Sequence, residues 1–107
     1  MERFIARIIG MHGLVHELAF EPRDTGWIAY DAFGQLRNEP ERLDVLGDDI
    51  IGQWASIQEF DLLDVAARRT SSGFWLVTWE RQHLLLATPG QALLVMAQLI
   101  RALRPVG

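Results

Sequence analysis

The chain has no cysteine, no lysine and no apolar run long enough to cross a bilayer. Each absence removes something. Without cysteine there is no disulfide, no thiolate nucleophile and no thiolate zinc site, and the composition fits a reducing compartment. Arg7, His12, His16 and Glu17 interrupt the stretch 4–20. Neither a membrane span nor a signal peptide is therefore expected, and the chain reads as cytoplasmic, with no membrane insertion. All ten basic residues are arginine, spread among fourteen acidic residues for a net charge of -4. With no basic block, the chain lacks the footprint of a nucleic-acid binder. Arginine instead favours forked, packed contacts at protein interfaces.

Half of the 107 residues are apolar, enough for a single domain over 1–107 that buries roughly two-thirds of its unfolded surface. Phe4, Ile8, Met11, Val15 and Leu18 recur at helical spacing, widened by Ile5 and Ala19, and predict an amphipathic helix at the start. Gly10 and Gly13 each cost a helix interior about 1 kcal/mol, so a strand over 14–20 is the rival reading. A hairpin follows: Trp27, Ile28, Ala29 and Tyr30 run into a turn of Asp31, Ala32, Phe33 and Gly34, and Gln35, Leu36 and Arg37 return. From Pro40 to about Glu59, Leu43, Leu46, Ile50, Trp54 and Ile57 line one face of a predicted second helix.

The second half is read as three strands, 62–70, 73–79 and 83–88, followed by a helix over 89–103. Leu63, Val65 and Ala67 alternate with wetter neighbours, whereas Phe74 to Val77 and Leu84 to Ala87 are apolar on both faces. Thr88, Pro89 and Gln91 have the chemistry of a capped helix start, with Thr88 as the cap and Gln91 reaching back. The predicted order is α-β-β-α-β-β-β-α.

No constellation in the sequence amounts to a catalytic site, a cofactor site or a metal site, so the expectation is a protein that is not an enzyme. His12 and His16 are four apart, but no glutamate follows His12 and no third ligand is evident. Asp44, Asp48, Asp49, Asp61 and Asp64 lack the alternating loop spacing of a calcium site and read as a solvated helix face and strand edge. Ser71 and Ser72 belong to a turn, and Gly90 alone makes no phosphate loop. Trp75 and Trp79 share a strand face and, with Trp27, read first as core.

The opening amphipathic stretch, the strand and turn from Trp27 to Gly34, the middle helix, and the closing strands and helix from Phe74 to Arg104 together resemble the roadblock/LC7, dynein-light-chain-like family, whose bacterial members regulate Ras-like GTPases. The longer 21–26 connection departs from that pattern. The resemblance implies an α+β, three-layer-like domain with an antiparallel five-stranded sheet. It further implies a homodimer with Ile50, Trp54, Ile57, Leu62, Asp64, Ala66 and Arg68 at its seam. It also implies a non-catalytic regulator or scaffold that binds a small Ras-like GTPase, with Asp48, Asp49 and Gln53 as candidate contacts. The competing resemblance is to acidic secretion chaperones, small dimers that bind an extended protein segment; they place three strands between the first and second helices. The stretch 14–20 discriminates: a strand there favours the chaperone-like reading.

Overall fold

The computed structural model describes residues 3–13, 15–37, 39–53 and 56–103. Its first four elements are strands, β1 (Phe4–Gly10), β2 (Val15–Arg23), β3 (Gly26–Asp31) and β4 (Gly34–Gln35), followed by helix α1 (Leu43–Ile50). The second half repeats that plan with β5 (Ile57–Leu62), β6 (Val65–Arg69), β7 (Trp75–Trp79), β8 (Gln82–Leu86) and helix α2 (Pro89–Leu103). All eight strands join one antiparallel sheet in the order β4-β3-β2-β1-β5-β6-β7-β8. Two four-strand meanders thus meet through their first strands, and each ends in a helix.

This overturns the predicted five-stranded, three-layer-like arrangement. The domain is α+β, but its described residues form two layers with eight strands and no opening helix. The correction at the start has a local cause. Phe4, Ala6 and Ile8 are buried while Ile5 and Arg7 are exposed, a period of two. Met11, which completed the helical stripe, lies exposed in the turn between β1 and β2. The stretch 14–20 falls largely in β2, with Leu14 outside the described residues.

The second predicted helix shrinks from 40–59 to eight residues. Leu43, Leu46 and Ile50 do face the core, but a turn follows at Ile51 and the chain re-enters the sheet at Ile57. The predicted strand 62–70 divides into the end of β5, a two-residue turn with Leu63 at φ 53°, and β6. The 27–37 hairpin forms, but its return strand is only Gly34–Gln35: Asp31 Oδ1 accepts from the backbone N–H groups of Phe33 and Gly34 at 2.7 and 3.0 Å, and Gly34 sits at φ 136°.

Both helices cover one face of the sheet. Phe20 and Phe60 are fully buried among Leu46, Leu93 and Met96, and Phe60 tilts against Trp75 with ring centroids 5.2 Å apart. Trp27 stacks on Phe4 at 5.6 Å, and the Arg101 guanidinium lies 5.4 Å from the Trp27 ring, tying the far end of α2 to the first meander. The helices also approach each other closely. A Cβ on Gly90 would stand 1.9 Å from the Asp44 carbonyl oxygen, and one on Gly47 would stand 2.9 Å from the Gly90 Cα. The start of α2 is capped three ways: Thr88 Oγ1 accepts from Gln91 N at 3.1 Å, Gln91 Oε1 accepts from Ala87 N at 3.2 Å, and the Asp48 carboxylate reaches from α1 to Gly90 N at 2.7 Å.

Candidate functional site

With both helices on one side, no helix or strand among the described residues covers the other face of the sheet. Strand register places its side chains in rows. Glu17, Arg7 and Asp61 stand opposite one another across β2, β1 and β5, and the row continues through Ala66, Thr78 and His83 to the β8 edge. The next row runs from Ile9 through Glu59, Arg68 and Leu76 to Leu85. Acidic and basic groups thus alternate over the central strands, an arrangement in which directly opposed charges attract.

The two ends of this face differ. Toward β3, Arg3 and Arg23 both meet the Glu21 carboxylate, at 3.3 and 3.1 Å, and Arg23 donates to the Tyr30 hydroxyl at 2.8 Å. Ile28 and Ala19 lie in these same rows and are buried, at 3% and 8% exposure, although they belong to the helix-free face. A polar clasp therefore lies over Ile28 and Ala19, while Ile5, opposite Ala19, stays 50% exposed. Toward β8 the apolar residues stay open: Leu85 is 53% exposed opposite Leu76, and Phe74 is 42% exposed just before β7.

The edges of the sheet differ as well. β4 is two residues long, whereas β8 is five and, among the described residues, has no strand on its outer side. Its sequence, Gln82, His83, Leu84, Leu85 and Leu86, contains none of the lysine, proline or inward charge that natural edges use to prevent pairing.

The residues implied by the resemblance do not gather into one seam. Ile50, Ile57 and Leu62 are buried in the core at 7%, 3% and 1% exposure. Trp54 lies outside the described residues. Asp64 occupies the exposed turn after β5, and Ala66 and Arg68 lie on the helix-free face. β5 is paired with β1 and β6, and β6 with β5 and β7, so the stretch 62–70 has no free backbone edge at which a second copy can add a strand. Of the candidate partner contacts, Asp48 is engaged in capping α2, Asp49 is bonded to Arg37, and Gln53 is exposed. All three border a shallow cavity of about 480 Å³ between the end of α1 and the start of α2, shared with Arg69, Trp75 and Thr88.

His12 lies in the β1–β2 turn and His16 in β2, so the helical spacing that suggested a shared metal does not exist. Both border a cavity of about 380 Å³ with Ile8, Met11, Ser56 and Ile57. Among the described residues no group of three His, Asp or Glu side chains is arranged to hold a metal ion, and no helix is long and apolar enough to cross a membrane. Trp75 belongs to the core, with Trp27 and Trp79 packed against it. The features that sequence reasoning missed, the helix-free face and the bare β8 edge, depend on β1 pairing with β5, a contact between residues about half the chain apart. The one local signal was the double-sided apolar character of Leu84 to Ala87.

Compared with known families, curated proteins and solved structures, the chain matches none.

Proposed function

We propose that this protein is a non-catalytic binding module that takes an extended segment of a partner protein across the helix-free face of its sheet. The observation that carries this reading is the composition of that face: alternating charges over β2, β1, β5 and β6, passing into half-buried Leu76 and exposed Leu85. Charged rows fix the register of an extended chain, and the apolar end supplies burial. The net charge of -4 favours a segment that carries net positive charge. The strand at 15–23 supports the same side, since a strand there is what separates the chaperone-like reading from the regulator of a Ras-like GTPase. Both resemblances expect a helix at the start of the chain, which the fold does not place there, so the reading rests on the face itself.

The test is selection of extended peptides from a displayed library, followed by hydrogen exchange on the complex. Slowed exchange in β5, β6 and β7, and binding lost when Arg68→Glu reverses a central charge, are the expected results. Protection confined to α1 and the start of α2, or capture of a Ras-like GTPase in a nucleotide-dependent way, would overturn the proposal.

A further inference from the structure

We infer that two copies of this chain pair through β8, antiparallel about a two-fold axis at Leu84, so that the two sheets become one. This is independent of what the helix-free face binds. The first support is the backbone. Trp79 and Gln82 close a two-residue turn, so alternate residues along β8 direct their N–H and C=O groups inward to β7, beginning with Gln82. His83 and Leu85 consequently direct theirs outward. Ala87 continues that outward series, and its N–H is accepted by the Gln91 side chain and not by β7.

The second support is register. With Leu84 on the axis, His83 of each copy stands opposite Leu85 of the partner subunit, and the outward groups of both exchange hydrogen bonds reciprocally. Gln82 then stands opposite Leu86 of the partner subunit. Paired residues stay on matching faces, so both copies keep their helices on the same side of the joined sheet. No charged side chain is brought opposite another, because the strand contains neither Asp, Glu nor Arg. The side chains that gain cover are Leu84 and Leu85, at 42% and 53% exposure.

The third support selects a second copy over an open-ended array. The other edge, β4, is only two residues long and its neighbouring Phe33 stands 98% exposed in a tight turn, so it offers no matching ladder for β8. Pairing must therefore be β8 with β8, which is isologous and closes at two.

The experiment is sedimentation of the full chain across the micromolar range, with two variants. Leu85→Pro removes an outward N–H while leaving the inward ladder to β7 in place. Leu84→Cys exploits the native absence of cysteine: at an axial, non-hydrogen-bonded position the two Cα atoms come within about 4.5 Å, inside the range a disulfide spans. The expected results are a dimer for the native chain, at least tenfold weaker association for Leu85→Pro, and rapid disulfide coupling of Leu84→Cys under mild oxidation. Leu63→Cys, in the β5–β6 turn and more exposed than Leu84 at 62% against 42%, serves as the control and couples slowly. A native chain that stays monomeric, assembly beyond two, or Leu84→Cys coupling no faster than Leu63→Cys would overturn the inference. The cysteine result decides alone if Leu85→Pro fails to fold.

Discussion

The two halves of this molecule share a plan, four strands and a helix, yet they are finished differently. The first ends in an eight-residue helix whose N-cap is Arg42, with no side-chain cap. The second ends in a fifteen-residue helix whose start is held by Thr88, Gln91 and Asp48. On the opposite face the contrast reverses in kind: the first half closes over Ile28 with a clasp of Arg3, Glu21, Arg23 and Tyr30, whereas the second leaves Leu85 and the β8 edge uncovered. The first half covers Ile28 and Ala19 but leaves Ile5 half exposed, and its helix has no side-chain cap; the second has a well-capped helix and a bare edge. Function is best sought on the open side of the well-built half, because a rigid element can present an unsatisfied edge without losing its own fold.

The sharpest way to break the comparison is at the helix contact on which both halves depend. Gly90→Ala places a Cβ 1.9 Å from the Asp44 carbonyl oxygen, a backbone atom that moves only if the whole of α1 moves. Separating the helices uncovers Leu46 and Leu93 together. The expected loss is about 3 kcal/mol or more, at the upper end for overpacking, and urea denaturation measures it. A loss below about 1 kcal/mol would mean that α1 is not held against α2 as described.

Asp48→Ala tests the same dependence through a hydrogen bond. It strands the Gly90 N–H at the α1–α2 contact, and the expected cost is about 1–2 kcal/mol. Thr88→Ala removes a more exposed cap and costs about 1 kcal/mol. If the two changes are made together, the sum should depart from additivity, because both act on the first turn of α2. Thermal unfolding of the two single variants and the double variant checks this.

The same contrast explains what could be read from the sequence. α2 was legible to its ends because its signals are local: Thr88, Pro89 and Gln91 specify the start within one turn. The hairpin at Glu80 and the turn at Asp31 were legible for the same reason. The start of the chain was not. Phe4, Ile8 and Leu18 fit a helical stripe, but they also share even-numbered positions and so fit a strand; choosing between the two required the pairing of β1 with β5. Likewise Ile57 extended the stripe of Leu43, Leu46 and Ile50 in sequence, although it belongs to the sheet. The helix-free face was illegible because its rows, such as Glu17, Arg7 and Asp61, join residues from three strands distant in sequence.

The smallest effect concerns the one end that the first half leaves unfinished. Arg42 occupies the N-cap of α1 in an extended conformation, φ -59° and ψ 144°, which suits a capping residue, and its carbonyl already accepts from Leu46 N at 2.9 Å. Its side chain turns instead to Asp44, in an ion pair at 2.7 Å with the arginine largely exposed, a contact of little net value in water. Arg42→Ser supplies a hydroxyl to the first-turn N–H groups. Asp44 remains in the first turn, where its negative charge favours the helix N-terminus. The expected gain is about 0.5–1 kcal/mol, read as a raised denaturation midpoint with an unchanged slope. No gain would mean that Asp44, which already accepts from Val45 N at 3.0 Å, supplies α1 with all the capping it can use, and that the two helix starts differ in the origin of their caps and not in their strength.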